Sequence, residues 1–292
     1  MRVLILLFLL TLGCTTPELT STRTITDDLG RSIALPDSVT RILTLAPNLT
    51  ELVYAIGAGN RMVGASQADD FPAEVTALPS FSTFPMDYEQ IAALQPDLVL
   101  ATDQLNTTRD ADVLAEVGIA TAFLSFETLA DVSEATRQLG DWLHMADEAT
   151  DFADAFDAHL AAAAQRTANV DERPSVIVLI GEQPLYSFGA GSYVQTLIEL
   201  AGGTSLTAEL PTANPILDAE FVLTQAPEVI LMSTPPPYDP AKLLEAHPTW
   251  DIVPAIQNRR VYAIHPDLLT RPGPRLLDAL DQLTVLLHPD LP

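Results

Sequence analysis

The sequence has little cysteine, lysine and histidine, and each shortage excludes something. Cys14 is the only cysteine among 292 residues, so a disulfide within one chain is excluded. Lys242 is the only lysine, and 39 acidic against 14 basic residues give a formal charge of −25. Such a surface repels phosphate backbones and anionic headgroups, which excludes nucleic acid and charged membrane surfaces as partners. The five histidines are scattered without an HxH or HxxxH pair, which excludes a zinc or manganese site.

Signatures of common enzyme classes are also missing. Gly189 and Gly191 are spaced as in a dinucleotide-binding loop, but Val194 stands where the third glycine would be. There is no G-x-S-x-G motif, and carboxylates are too numerous for any pair of them to indicate catalysis. The sequence therefore favours a protein that binds a ligand without chemistry of its own, with a secreted α/β hydrolase as the alternative.

The N-terminus predicts export and lipidation. Arg2 precedes an apolar run at 3–12, which is too short to span a membrane and is typical of a secretory signal. Gly13 and Cys14 follow, and this arrangement resembles the bacterial lipobox, although Thr11 stands where leucine is usual. We therefore expect a signal peptide at 1–13, acylation of Cys14, and a lipidated tether at 14–21 that holds the protein at the membrane facing the periplasm or cell exterior.

The rest of the chain has the pattern of an α/β protein with a long helix at its middle. Continuous apolar runs at 41–45, 98–101 and 175–180 are typical of parallel strands covered on both faces. The stretch 147–168 contains neither glycine nor proline, and its apolar residues Phe152, Phe156 and Leu160 recur every fourth position, which predicts a helix about 33 Å long. Such a helix can join two lobes or belong to one domain, and its own residues leave both open.

A repeat on either side of this helix favours two lobes. The segment EQIAALQPDLVLATD begins at Glu89, and EFVLTQAPEVILMST begins at Glu220, 131 residues later. Each has a glutamate, a short apolar helix, a proline, an acidic residue and then a hydrophobic strand. The repeat predicts an N-lobe at 22–145, a bridging helix at 146–170 and a C-lobe at 171–292.

Six segments in sequence order carry a resemblance to a known family. The segments are TDDLGRSIALP, RILTLAPNLTELVYAIGAG, MVGAS with DDFP, ALQPDLVLA, RRVYAI and RPGPRLLDAL. On these segments the chain resembles the bacterial substrate-binding proteins that supply importers for cobalamin, haem and ferric siderophores, and it is most similar to the cobalamin-binding members. The resemblance implies two Rossmann-like α/β lobes joined by one long helix, with the ligand in a cleft between them. It also implies a monomer without a cofactor of its own, whose partners are an ABC permease and its ATPase.

The resemblance assigns roles to individual residues. Glu89 and Glu220 match the glutamates, one on each lobe, that pair with arginines of the permease. Asp267 and Arg271 match positions that meet the amide side chains of the corrin in cobalamin binders, and Tyr186 matches an aromatic contact. Because a corrin or a haem is large, flat and mostly apolar, further aromatic contacts are expected from loops. Other candidate contacts are Asn48, Phe84, Tyr88, Phe188 and Tyr238.

Departures from the family pattern leave the ligand open. Thr83, Thr102 and Asn214 stand where cobalamin binders have tryptophans, while Trp142 and Trp250 lie in apolar contexts that predict core positions. A ferric siderophore would need cationic groups, for which the candidates are Arg271, Arg275 and Arg109. Haem would need an axial ligand, for which the candidates are His265 and Tyr186. Cobalamin is therefore the expected ligand, with a ferric siderophore or haem as the alternative.

Overall fold

The computed structural model describes residues 21–291, so the predicted signal peptide and Cys14 lie outside the described residues. The strands are β1 (Thr22–Thr26), β2 (Ser32–Pro36), β3 (Ile42–Thr44), β4 (Ala65–Ser66), β5 (Ser80–Phe81), β6 (Leu98–Thr102), β7 (Thr121–Leu124), β8 (Ser175–Leu179), β9 (Leu185–Tyr186), β10 (Thr204–Ser205), β11 (Ile216–Leu217), β12 (Val229–Ser233) and β13 (Val261–Ile264). The α-helices are α1 (Pro47–Ala55), α2 (Tyr88–Ala93), α3 (Thr108–Glu116), α4 (Leu129–Leu143), α5 (Ala146–Thr167), α6 (Tyr193–Leu200), α7 (Ala219–Gln225), α8 (Ala241–Ala246), α9 (Pro254–Gln257), α10 (Pro266–Thr270) and α11 (Leu276–Leu287).

Each lobe is built on a parallel sheet. In the N-lobe the strand order is β3-β6-β7, and the short parallel pair β4-β5 lies beside it through a bridge between Ile42 and Met62. In the C-lobe the order is β10-β8-β12-β13, again all parallel, with a small antiparallel pair β9-β11 next to it. Two α/β lobes of this kind confirm the predicted fold class.

Both faces of each sheet are covered, as the continuous apolar runs predict. On β6, Leu98 and Leu100 belong to one buried cluster, while Val99 and Ala101 belong to another on the opposite face. The residues of β12 alternate between two clusters in the same way. One of these clusters is shared, because it includes residues of both sheets and of α5. The shared cluster therefore runs through both lobes, and each lobe has a second core of its own.

Helix α5 packs on the N-lobe with its first half and on the C-lobe with its second half. Near its start Ala149 sits against Gly140 of α4, where a Cβ on residue 140 would overlap the Ala149 side chain. Near its end both His159 Nε2 and Arg166 Nη2 lie 3.1 Å from Oδ1 of Asp281 on α11. Because its two halves contact different lobes, α5 is the bridging helix. It falls within the predicted range 146–170, whose exact limits stay a prediction.

The buried stripe of α5 is narrower than its aromatic spacing suggests. Phe156 is buried, whereas Phe152 and Leu160 are only partly buried against the shared core. The rest of the stripe is made of small side chains, which permit close helix packing. The buried residues are Ala149, Ala153, Phe156, Ala163 and Thr167.

The two lobes repeat each other at positions 131 residues apart. Asp87 accepts a hydrogen bond from the N–H of Gln90 at the start of α2, and Asp218 accepts one from the N–H of Phe221 at the start of α7. Each helix is followed by a residue in the left-handed conformation, Gln95 after α2 with φ of 47° and Ala226 after α7 with φ of 46°. The strands β6 and β12 that follow are offset by the same interval. The helix-to-strand unit seen in the sequence is therefore a structural repeat.

Candidate functional site

The carboxyl ends of the two parallel sheets face each other, and this arrangement places the cleft. Asn48 lies in the first turn of α1, which follows β3, and its Nδ2 donates to the carbonyl oxygen of Pro272, 3.2 Å away in the segment that follows β13. Gly273 lies beside the same asparagine, because a Cβ on residue 273 would be 3.5 Å from Asn48 Cβ. Parallel α/β sheets bind ligands beyond their carboxyl ends, so the space between these two edges is the candidate site.

A buried ion pair joins the lobes next to this contact. Glu51 of α1 accepts two hydrogen bonds from Arg275, at 2.6 Å from Nη2 and 3.1 Å from Nε. The Glu51 side chain is only 1% exposed, and the guanidinium carbon of Arg275 lies 4.7 Å from the centre of the Phe71 ring. Burial raises the pKa of Glu51, and the hydrogen bond and charge of Arg275 partly oppose that rise.

A second, more open ion pair lies beside the first. Arg271 Nη1 is 2.6 Å from Oδ1 of Asp70 in the N-lobe, and Arg271 Nη2 donates to the carbonyl oxygen of Ala68 at 3.2 Å. Within its own lobe Arg271 also pairs with Asp267 at 3.0 Å. Although burial opposes the effect, the hydrogen bond and charge of Arg271 lower the pKa of Asp70. The predicted contacts Asp267 and Arg271 therefore lie together in the cleft, where they are already engaged with charges of the protein.

Hydrogen bonds of the neighbouring Asp69 fix the loop that bears Asp70. Asp69 Oδ2 accepts a hydrogen bond from the backbone N–H of Ser66 at 2.5 Å, which closes a tight turn after β4. Burial raises the pKa of Asp69, and hydrogen bonds from Thr50 and Ser66 partly offset this. The turn is thereby fixed to α1, while the side chain of Asp70 stays 57% exposed.

The predicted aromatic contacts differ widely in accessibility. Phe84 is 97% exposed, and Tyr186 in β9 is also exposed. The hydroxyl of Tyr88 donates to Asp110 Oδ1 at 2.5 Å, so its polar end is already bonded within the N-lobe. Phe188 is only 7% exposed and packs in the shared core, so the structure gives this ring a packing role. Among these predicted aromatic contacts, Phe84 and Tyr186 are the exposed rings.

The candidates for the alternative ligands occupy separate places. Arg109 is exposed on α3, and its positive charge contributes a lowering of the pKa values of Tyr88 and Asp110. Arg271 and Arg275, in contrast, are both paired with carboxylates in the cleft. His265 Nδ1 accepts a hydrogen bond from the N–H of Asp267 at the start of α10, at a long 3.4 Å. Among residues 21–291, no cluster of histidine, cysteine and carboxylate side chains is arranged to hold a metal ion.

The three residues that stand where cobalamin binders have tryptophans differ in burial. Thr102 at the end of β6 is buried, and its hydroxyl has no hydrogen-bond partner among the described residues. Thr83 is half-buried and Asn214 is exposed. Trp142 and Trp250 are both buried in the core, where their apolar contexts predicted them. Tyr238 is half-buried, and burial raises the pKa of its hydroxyl.

The two predicted docking glutamates are exposed at matching points of the repeat. Glu89 lies in the first turn of α2 and Glu220 in the first turn of α7, each two residues after the aspartate that caps the helix. An acidic side chain is favoured at a helix N-terminus, so this position also suits a purely structural glutamate. Their role in docking stays a prediction.

Three residues of the cleft are not specified by the motifs alone. Glu51 and Asp70 were not predicted as site residues, and Arg275 was considered only for a siderophore. One signal was present: Glu51 lies three residues after Asn48, so both project from the same face of α1 beside apolar Leu52. A carboxylate on a buried helix face needs a cationic partner, but the sequence does not show which arginine supplies it.

Comparisons with known proteins agree with this architecture. The family described as periplasmic binding protein matches residues 42–268. A vitamin B12-binding protein of Vibrio parahaemolyticus is 27% identical over 84% of this chain and 88% of its own. An uncharacterized ABC transporter substrate-binding lipoprotein of Bacillus subtilis is 25% identical over 91% of this chain and 86% of its own. The solved periplasmic vitamin B12-binding protein of Vibrio cholerae is 26% identical with a TM-score of 0.73, over 85% of this chain and 96% of its own.

None of the helices between residues 21 and 291 is both long enough and apolar enough to cross a bilayer.

Proposed function

The chain belongs to the periplasmic binding protein family, and from this premise we propose that it captures cobalamin and delivers it to the permease of an ABC importer. Membership of this family supports a substrate-binding role without catalysis, with a small-molecule ligand and a permease and its ATPase as partners.

The observation that carries the choice of ligand is the similarity, across both lobes, to proteins named for vitamin B12 binding. The geometry of the cleft supports it. Asp267 and Arg271 lie where the two sheet edges face each other, and the exposed rings of Phe84 and Tyr186 are available for an apolar face. A carboxylate and a guanidinium side by side suit amide groups, which both donate and accept hydrogen bonds.

Calorimetric titration of the purified soluble domain tests the ligand. We expect saturable one-to-one binding of cyanocobalamin, and no saturable binding of haemin or of a ferric hydroxamate such as ferrichrome at the same concentrations. Tight binding of haemin or ferrichrome with no response to cyanocobalamin would replace cobalamin by the alternative ligand. No binding of any of the three would remove the functional proposal.

We further propose that Glu89 and Glu220 dock the protein to the permease. A two-lobed protein on a permease with two-fold symmetry needs one contact per lobe, and these exposed glutamates are related by the repeat. Reversing both charges with Glu89→Lys and Glu220→Lys is expected to abolish transport while leaving ligand affinity unchanged. The matched control reverses exposed Glu116 and Glu245, also one on each lobe. Equal loss of transport in both double variants would argue against specific docking.

Finally, we propose that Cys14 anchors the mature protein to the membrane by a lipid. The support is the apolar leader before the sole cysteine and the similarity to a protein named as a lipoprotein. Replacing Cys14 by serine should move the protein from the membrane fraction to the soluble fraction. Unchanged fractionation of the variant would contradict lipidation.

A further inference from the structure

We propose that Asp70 sets the affinity of the cleft by occupying Arg271 in the ligand-free protein, so that a ligand must replace an internal carboxylate before it can bind this arginine. The inference rests on the proposed function, in which Arg271 contacts the ligand.

Of the two arginines in the cleft, Arg275 is committed to the protein. Its guanidinium makes two hydrogen bonds to Glu51, whose side chain is only 1% exposed. Separating this pair would leave a buried carboxylate without its partner, which is strongly unfavourable. Arg275 is therefore a structural connection between the lobes, and it is not available to a ligand.

Arg271 is held differently. Asp267 of its own lobe pairs with it at 3.0 Å, so the arginine keeps a local partner whatever happens across the cleft. On the other lobe its Nη1 lies 2.6 Å from Asp70 Oδ1 and 3.7 Å from Glu51 Oε1. Glu51 is buried and bonded to Arg275, whereas the closer partner, Asp70, is 57% exposed. Asp70 can therefore exchange water for Arg271 at little cost, as surface ion pairs do.

The turn that bears Asp70 limits what has to move. Asp69 is tied to Ser66 and lies against α1, so the backbone of this turn stays in place. Rotation of the Asp70 side chain alone then removes the 2.6 Å contact at Arg271 Nη1, whose other N-lobe neighbour, Glu51 at 3.7 Å, is already bonded to Arg275. A ligand oxygen, such as an amide carbonyl or a phosphate, can accept the hydrogen bond that Asp70 gives up.

The expected size of the effect follows from this competition. When Arg271 is free of Asp70 in only a fraction of the molecules, the apparent affinity for the ligand is the intrinsic affinity multiplied by that fraction. An ion pair as exposed as this one favours the state in which Asp70 is paired with Arg271 over the unpaired state by roughly fivefold. Removing the charge of Asp70 should therefore tighten binding by about three- to tenfold, with a smaller gain at high salt because the pair is screened.

The test is calorimetric titration of cyanocobalamin into the wild type and four variants at low and high salt. Asp70→Asn removes the charge and keeps the shape, and it should tighten binding. Glu74→Gln removes one exposed negative charge from the same region without contacting Arg271, and it should leave affinity unchanged. Arg271→Gln should weaken binding, and the double variant Asp70→Asn with Arg271→Gln should bind no more tightly than Arg271→Gln alone.

Several outcomes would overturn the inference. Unchanged or weaker binding by Asp70→Asn would overturn the inference. Tighter binding by Asp70→Asn that persists in the Arg271→Gln background, or that Glu74→Gln also produces, would overturn it as well. A ligand-free readout keeps it separate from the proposed function: carbon NMR titration should place the pKa of Asp70 below its ordinary 3.8 in the wild type and restore it in Arg271→Gln. If cyanocobalamin fails to bind, the proposed function falls, and the same variants are titrated with whichever of haemin or ferrichrome binds. An unshifted Asp70 pKa would overturn the inference in either case.

Discussion

Replacing Glu51 by alanine should be among the most destabilising single changes in the cleft. The substitution removes a side chain that is 1% exposed and leaves the guanidinium of Arg275 without the carboxylate that accepts two of its hydrogen bonds. Breaking a buried pair from one side costs about 3–5 kcal/mol. Because Arg275 keeps some solvent contact and lies near Asp267, we expect the lower end, about 3 kcal/mol. That loss corresponds to a fall in Tm of roughly 6–12 °C.

The assay is urea unfolding followed by circular dichroism, arranged as a double-mutant cycle. Glu51→Met and Arg275→Met alone should each cost a similar amount, because each leaves one member of the hydrogen-bonded pair without the other. The double variant Glu51→Met with Arg275→Met should recover most of the loss, since two apolar groups of similar volume replace the pair. Additive losses in the double variant, or a loss below about 1 kcal/mol in Glu51→Ala, would refute a buried inter-lobe pair, because exposed pairs behave in that way.

Three further predictions concern the helix ends, the packing of the bridging helix and the dependence of stability on pH. Glycine at Gln95 or at Ala226 should each stabilise the protein by about 1 kcal/mol in urea unfolding, since both residues have positive φ; a loss at either would contradict the left-handed cap. Gly140→Leu should destabilise by at least about 2 kcal/mol, because any side chain there overlaps Ala149 of the bridging helix; wild-type stability would contradict that close packing. Burial raises the pKa of Glu51 above its ordinary 4.5, so its stabilising contribution is present below pH 4.5 and is lost as pH rises through the folded-state pKa. Glu51→Gln should therefore reduce the fall in stability as pH rises above 4.5. An unchanged fall in the variant would show that other groups cause it.

The fold could be predicted from the sequence because the relevant signals are local or repeated. Continuous apolar runs identify strands such as β6 and β8, and the absence of glycine and proline identifies α5. The offset of 131 residues between Glu89 and Glu220 links two segments that would otherwise look like ordinary α/β units. The face of α5 was harder to predict, since its buried stripe depends on small residues such as Ala149 and Ala153 whose neighbours lie on another helix.

The site could be predicted only in part because its contacts join residues more than 200 positions apart. The family resemblance places Asp267 and Arg271 in the cleft, and the structure brings both to the junction of the lobes. Nothing local indicates that Asp70 faces Arg271 or that Glu51 faces Arg275, because charge alone does not select among 39 acidic residues. Phe188 shows the converse problem: an aromatic in a loop suggests a ligand contact, but its burial is decided by the surrounding core.

Two of the connections between the lobes differ in kind, and together they limit how the cleft can move. Helix α5 is continuous and packs on both lobes, so it resists bending. The buried Glu51–Arg275 pair joins residues of the two lobes, and opening the lobes by several ångströms would expose its charges separately. Since both connections oppose a large hinge, the distance between Glu89 and Glu220 should change little when a ligand binds. A permease that recognises the two glutamates would then meet nearly the same spacing in the empty and the loaded protein. Discrimination between those states would have to come from the ligand itself or from loops that contact the other lobe, such as the turn that bears Asp70.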